Sequence, residues 1–246
     1  MADDGLTAAE AAAALKKPVG DWGFGWMSDA SVRDRGKADL GLRGRPLYHL
    51  GRAGAMGDVP VDVVVAAEAF FPPEVVRAAW VDGRNGVDPM DAALFYSACC
   101  SDVFRSTYGD RPGMERLAEL LGKVVDGASA LGAPLFAAWR ALPRPDDAAG
   151  RVGLLLNVLR EHRGSVHAAA VAAMGLGPLE AIMAGAYGER NARFFEWPEP
   201  YPDPERYRER WLAAEELTSA AAAAAYDSLS AAERAELVEL VRATLT

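Results

Sequence analysis

The chain is poor in the residues that build disulfides and metal sites. Its 246 residues include two cysteines and three histidines. Cys99 and Cys100 are adjacent in a helical pattern, so they cannot form an ordinary mutual disulfide and lack metal-ligand spacing. His162 and His167 are five residues apart on a predicted helix, which prevents them from chelating one zinc ion. We therefore expect packed thiols and no metal.

The chain also lacks long apolar runs and an excess of positive charge. No apolar run is long enough to span a bilayer, and the N-terminal sequence has no secretory signal pattern. The formal net charge of −9 at pH 7 disfavours nucleic-acid binding through general electrostatics. The sequence therefore predicts a cytoplasmic protein without membrane or nucleic-acid partners.

Signals for cofactor binding and nucleophilic catalysis are missing as well. Residues 51–57 are rich in glycine, but no predicted strand precedes them, so they do not meet the context of a dinucleotide-binding loop. No serine lies in a nucleophile-elbow pattern, and neither cysteine has an evident activating partner. We expect a protein that works without a cofactor.

Helical periodicity runs through most of the chain, whereas no useful strand pattern occurs. Alanine-rich tracts at residues 8–14 and 220–225 indicate helix propensity. The predicted helices cover residues 58–71, 72–83, 88–108, 114–130, 134–142, 147–174, 178–187, 204–229 with a break, and 230–245. We predict an all-α, multi-helix fold related to winged-helix proteins, with at most a short β-hairpin near residues 191–196. Residues 1–246 form one unit with two lobes, 1–142 and 147–246.

His162 lies on an apolar stripe of the longest predicted helix. It shares this stripe with residues such as Leu155, Val158 and Leu159, whereas His167 falls on a more polar face. His162 should therefore point into a core. Two interpretations stand about equal: a hydrogen-bonded structural histidine, or a proton acceptor tuned to neutral pH.

Two carboxylates occupy positions that are costly for a charge. Glu68 shares a helical stripe with Val64, Val65 and Phe71 and should face inward, where it needs a cationic ligand or an arginine partner. Asp82 is predicted at the carbonyl end of a helix, where the dipole opposes ionisation and favours a base. Ordinary turn chemistry explains Asp82 equally well.

One segment has the opposite charge from the rest of the chain. Between residues 33 and 52 there are six basic and two acidic side chains, with His49 among them. This segment could bind a phosphate or sulfate group, an acidic protein partner, or the acidic remainder of the same chain.

Several segments together resemble a large actinobacterial family that carries a helix-turn-helix label and includes SalK-like proteins. They are residues 51–59, 70–73, 135–147, 159–164 and 191–198. In that family, apolar or aromatic residues usually occupy the positions of His49 and Glu68, which suggests a recruited binding site in this chain. The chain is most similar to the aziridine synthases of azinomycin-type antibiotic pathways, which work with a companion subunit.

The resemblance implies that a neighbouring amine displaces a sulfate ester and closes an azabicyclic aziridine. The intermediate would be a sulfated amino alcohol held by an acidic amino-group carrier protein. Ring closure needs a base, a positioning carboxylate and an anion site. We expect Asp82 and His162 to act as the base, directly or in relay, and Glu68 to bind the cationic end of the substrate. The departing sulfate is assigned to Arg52 together with Arg163 or His49.

Two other functions remain open at this stage. A winged-helix ligand sensor or regulator would fit the family label, but the late predicted helices carry more acidic than basic residues, which disfavours DNA binding. A non-catalytic companion subunit would use the same buried polar residues for structure alone. The most useful observation for deciding between the enzyme and these alternatives is whether Glu68, Asp82 and His162 line one cavity.

Overall fold

A computed structural model describes residues 5–245, which fold into thirteen α-helices without a strand. The helices, numbered in chain order, are α1 (Ala8–Met27), α2 (Ala30–Asp39), α3 (Gly44–Ala53), α4 (Val61–Ala67), α5 (Pro73–Gly83), α6 (Pro89–Tyr108), α7 (Met114–Gly127), α8 (Pro134–Ala141), α9 (Ala148–Ala173), α10 (Pro178–Ala184), α11 (Gly188–Phe194), α12 (Arg208–Ala223) and α13 (Ala231–Leu245). Short 3₁₀ turns follow α3 and α12 and precede α12. The all-α prediction is confirmed.

Helix α9 is the central element, and much of its first half is buried. Residues 152–159 are all buried, and they pack against α1, α6, α7 and α8. The main hydrophobic core extends from Ala11 to Val241, so it draws on both predicted lobes. Two smaller apolar clusters surround α10, α11 and the start of α12. Among residues 5–245 no single helix is long and apolar enough to cross a membrane; only the pair α9 and α10, bent by 102°, passes that test together.

Local sequence signals explain where several helices begin. Asp88 and Asp147 accept hydrogen bonds from backbone N–H groups in the first turns of α6 and α9, which satisfies donors that have no partner inside the helix. Thr7 and Glu10 form a reciprocal capping box at α1. These caps fix the start of the two helices, α1 and α9, that form much of the candidate site.

The structure differs from the sequence-based prediction in several places. The short hairpin that was allowed near residues 191–196 does not form, because these residues belong to the end of α11 and the turn that follows it. The described residues contain no strand, so the β-wing of a winged-helix protein is absent from this part of the chain. The sequence analysis also missed helices α2 and α3, and it extended α4 beyond its end at Ala67.

Candidate functional site

An ionic cluster lies in the interior where α3, the turn after α4, and α9 meet. His49 and Arg52 belong to α3, Glu68 directly follows α4, and Glu161 lies on α9. His49 Nδ1 hydrogen bonds to Glu68 Oε2. Arg52 reaches both carboxylates, with Nη1 3.3 Å from Glu68 Oε1 and Nη2 2.7 Å from Glu161 Oε2. The structure therefore brings His49, Arg52 and Glu68, three predicted substrate-binding residues, into direct contact.

Two arginines hold the carboxylate of Glu161. Arg52 donates from Nε and Nη2, at 3.0 and 2.7 Å, and Arg160 donates from Nη1 at 2.7 Å. Burial raises the pKa of Glu161, but the charges of the two guanidinium groups outweigh this and keep the pKa below its usual value. The guanidinium of Arg52 is thus shared between the carboxylates of Glu68 and Glu161.

His49 has one ring nitrogen without a partner. The residue is fully buried, and its ring meets those of Phe71 and Tyr48 edge to face at 4.6 and 5.1 Å. An ionised carboxylate can only accept, so Nδ1 is the donor in the hydrogen bond to an ionised Glu68. Nε2 has no hydrogen-bond partner among the described residues. Leaving a buried polar atom unpaired costs about 1–3 kcal/mol, so packing alone does not explain this histidine.

A separate groove of about 480 Å³ lies between α1, α9 and the end of α12. Alanines from both alanine-rich tracts line it, and their small side chains leave the space open. The lining consists of Ala9, Ala12, Ala13, Leu15, Lys16, Val19, Leu159, His162, Arg163, Ser219, Ala220, Ala222 and Tyr226. The groove thus combines mostly apolar walls with an imidazole and two cations.

The two cations of the groove share one carboxylate. Lys16 Nζ and Arg163 Nη2 lie 2.6 and 2.9 Å from Oε2 of Glu215 on α12. Burial raises the pKa of Glu215, but Lys16 and Arg163 more than compensate, and its pKa stays below the usual value. With Glu215 ionised, the two cations exceed the carboxylate by one positive charge, an arrangement that suits an anionic ligand.

His162 is the imidazole that lines the groove. It is 4 % exposed, so the inward orientation predicted from the helical stripe is confirmed. Its ring meets Phe136 edge to face at 4.8 Å. Burial, and then the charge of Arg140, lower its pKa below the ordinary 6.5, against a smaller opposing effect of the Ser129 backbone. His162 is therefore neutral at neutral pH and can accept a proton.

The structure does not bring all the predicted site residues together. His162 and Arg163 line the groove, whereas Glu68 and Asp82 do not. Asp82 lies in the last turn of α5, as predicted, but its side chain is exposed and forms no hydrogen bond or ion pair among residues 5–245. This groove is therefore not shared by Glu68, Asp82 and His162.

The basic segment is partly neutralised within the chain. Arg35, Arg45 and Arg52 each pair with acidic residues of other elements. In the described part of the chain, Lys37 and Arg43 are exposed and form no ion pair. Of the three interpretations offered by the sequence, the acidic remainder of the same chain accounts for half of the segment's basic side chains.

The cysteines are buried free thiols, in agreement with the prediction. Burial raises the pKa of Cys99 to about 11, which disfavours a thiolate nucleophile. Among residues 5–245 no group of three histidine, cysteine or acidic side chains could hold a metal ion.

Sequence reasoning missed three important polar residues of the two sites. Glu161 could have been found, because it shares a helical stripe with Leu154 and Val158 and so should point inward, by the argument applied to Glu68. Lys16 and Glu215 gave no local signal. They are 199 positions apart in the chain and meet only because α1 packs against α12.

Comparison with known protein families matches residues 27–246 to a helix-turn-helix family. The chain belongs to this family. No curated protein and no solved structure matches it. The matched residues include the buried cluster and the α9 and α12 side of the groove, while the residues of α1 that line the groove lie before residue 27. The match identifies the family and carries no statement about a reaction or a ligand.

Proposed function

We propose that the chain is a sulfate-eliminating cyclase of antibiotic biosynthesis, an aziridine synthase similar to those of azinomycin-type pathways. One observation carries the proposal: the groove holds a neutral imidazole, His162, beside two cations that share a single carboxylate. Cyclisation with loss of sulfate needs a proton acceptor and an anion site of this kind in the same space.

In the proposed reaction, the substrate's sulfate group binds Lys16 and Arg163. A neighbouring amine attacks the carbon that bears the sulfate ester, the new C–N bond closes the three-membered ring, and the C–O bond breaks. The electron pair of that bond leaves with inorganic sulfate. His162 takes the proton that the nitrogen loses, so no redox partner or cofactor is needed.

Glu215 has a second role in this scheme. Its carboxylate lies between the two cations, where it can hold an ammonium group of the substrate before that group is deprotonated. The mostly apolar walls lower the local dielectric and strengthen these charge interactions. The groove therefore orients a substrate that carries both charges, which is the positioning that intramolecular displacement requires.

The substrate is proposed to arrive on an acidic amino-group carrier protein, with a companion subunit completing the enzyme. Two exposed cations, Lys37 and Arg43, remain free of ion pairs within the described residues and suit an acidic partner. Arg45, by contrast, donates to Glu196 and to the Phe194 carbonyl. Docking should therefore depend on the unpaired cations more than on Arg45.

The test is to incubate the purified chain, alone and with its companion, with a carrier-bound sulfated amino alcohol. Released sulfate and the mass of the cyclised product are measured together. His162→Asn should lower the rate by about 10²- to 10⁴-fold, the usual contribution of a general base, while helical circular dichroism is unchanged. Full activity in this variant would remove His162 from the mechanism. An inactive wild type with its companion would favour a ligand sensor or a non-catalytic subunit.

A further inference from the structure

A second pocket, of about 450 Å³, lies where α1, α6 and the end of α13 meet. It shares no lining residue with the groove of His162, although α1 contributes to both. Aromatic and aliphatic side chains form its inner wall, and exposed residues of α1, among them Lys17, Asp21 and Gly25, lie at its rim. The pocket is therefore open to solvent and has the size of a site for a small organic ligand.

The inner wall of this pocket is aromatic and held in place from behind. The indole N–H of Trp22 donates to the Gly153 carbonyl at 2.9 Å, and that of Trp26 donates to Asn157 Oδ1 at 3.1 Å. Both acceptors belong to α9, which contributes no residue to the lining, so the indoles turn ring carbon atoms toward the pocket. Tyr108 meets Trp22 edge to face at 6.2 Å. The wall therefore suits a flat apolar group.

The charges around the rim favour a cation. Lys17 pairs with Asp21, and Arg242 lies 3.0 Å from Glu239, so acids already match both cations of the rim. Asp29, by contrast, forms no ion pair within residues 5–245. Together these five side chains carry one excess negative charge, which attracts a cationic ligand.

The carboxylate of Asp29 has an oxygen available for a ligand. Its Oδ1 accepts hydrogen bonds from the N–H and the hydroxyl of Ser31, at 2.8 and 2.6 Å, and so caps α2. These bonds lower the pKa of Asp29 below its usual value; burial opposes them, and the charge of Arg33 adds a smaller lowering. Asp29 is therefore ionised at neutral pH, and Oδ2 accepts no hydrogen bond from the described residues. An ammonium N–H can donate to that oxygen.

We propose that this pocket binds an arylalkylammonium ion, whose ammonium group donates to Asp29 Oδ2 while its ring lies against Trp22 and Tyr108. The site goes beyond the cyclase reaction, because it uses none of the residues that line the groove of His162. A chain without cyclase activity can still bind the amine, and an active cyclase can fail to bind it, so the two proposals are tested separately.

The experiment measures binding of 2-phenylethylammonium chloride to the full chain by isothermal titration, at neutral pH and constant ionic strength. 2-Phenylethanol keeps the ring without the charge, and ethylammonium chloride keeps the charge without the ring. We expect saturable binding of 2-phenylethylammonium and at least about tenfold weaker binding of the other two probes, because each lacks one of the two contacts.

Two glycines of α1 provide a matched pair of variants. A Cβ added at Gly20 or at Gly25 would meet no atom within 4 Å outside the local helix backbone, and both residues are exposed. Only Gly25 lines the pocket. Gly25→Leu should therefore abolish binding of 2-phenylethylammonium, whereas Gly20→Leu should bind it like the wild type, since helix propensity changes in the same way at both positions.

A charge variant completes the test. Asp29→Asn removes the charge but keeps a good capping residue for α2, so it should weaken binding of 2-phenylethylammonium about tenfold at unchanged helicity. Asp34→Asn, at an exposed residue of α2 outside the pocket, should not. Absence of saturable binding, equal affinity for 2-phenylethanol, equal losses at residues 20 and 25, or loss of binding in Ala220→Phe, which fills the other groove, would each overturn the proposed ammonium site.

Discussion

Glu161 and His162 are consecutive residues on α9 that belong to two different sites. The Glu161 carboxylate is held by Arg52 and Arg160 in the closed cluster, while the His162 ring lines the open groove. A step of one residue turns an α-helix by about 100°, so one buried helix serves both sites. The central position of α9 therefore determines the placement of the cluster and of the groove.

Removal of Arg52 should destabilise the fold strongly. Arg52→Met leaves Glu161 with one arginine instead of two and takes the second partner from Glu68, both fully buried. Loss of one partner from a buried pair costs about 3–5 kcal/mol, which urea unfolding can measure. The double variant Arg52→Met with Glu161→Gln also removes the buried negative charge that Arg52 neutralises, so it should recover part of that loss. Equal stability of Arg52→Met and wild type would contradict a tightly coupled cluster.

Periodicity predicted the parts of the site that depend on one helix. The apolar stripe around His162 was sufficient to place its ring inside, because α9 is long and packed on several sides. Glu68 was also predicted to face inward, on a stripe with Val64 and Phe71, and all three residues are buried. Helix α4 ends at Ala67, but Glu68 is its C-cap residue and its N–H still bonds the Val64 carbonyl, so the helical spacing holds as far as Glu68.

Contacts between distant segments could not be predicted from the sequence. Arg52 and Glu161 are 109 positions apart, and no local pattern indicates that they pair. Helix α3 was missed because its glycines, Pro46 and clustered charges disfavour a helix, although packing against α5 and α6 stabilises it. The basic segment could be interpreted from sequence as a ligand site. In the structure, acidic side chains from distant parts of the chain neutralise half of its basic residues.

Activity should depend on pH through His162. Its pKa lies below 6.5 because of burial and Arg140, so the rate should be constant at higher pH and fall as pH drops through that lowered value. Arg140→Leu removes a neighbouring positive charge and should shift the acid limb of the profile to higher pH. Rates of sulfate release between about pH 5 and 8 cover this range.

The same shift predicts how stability changes. An unfolded histidine binds a proton more tightly than the folded one, so the His162 contribution to stability falls as pH drops from about 6.5 toward the folded pKa. His162→Asn should lack this component. A pH profile that is identical in wild type, His162→Asn and Arg140→Leu would contradict the assignment of the titrating group.

Arg163 should contribute to binding of the sulfate group. Arg163→Met removes one of the two cations that share Glu215, and loss of a charged hydrogen bond to the ligand should weaken binding about tenfold. Lys16→Met should have a smaller effect, because the Lys16 side chain is half exposed. Isothermal titration with the sulfated substrate measures both. Asp82→Asn, which alters an exposed carboxylate outside the groove, is the matched comparison, and an equal loss there would restore Asp82 as a site residue.

Encounter with an acidic carrier protein should depend on Lys37 and Arg43. Their reversal to glutamate changes two exposed charges that form no ion pair within residues 5–245, so the fold should be retained. We expect slower association, with a smaller dependence on salt than in the wild type. Stopped-flow association rates at several salt concentrations test this. Reversal at Arg45 breaks its contact with Glu196 and would not separate docking from folding, whereas unchanged rates for the double reversal would leave these cations without a docking role.

The alanines of the groove should determine the size of the substrate it accepts. Ala220 and Ala221 are neighbouring exposed residues on α12, but only Ala220 lines the groove. A phenyl ring at residue 220 would occupy the space between α12 and α9, while the same ring at residue 221 would extend into solvent. Ala220→Phe should therefore lose most binding and turnover of the sulfated substrate at unchanged helicity, and Ala221→Phe should behave like the wild type. Equal effects of the two substitutions would mean that the substrate does not enter this groove, because helix propensity changes in the same way at both positions.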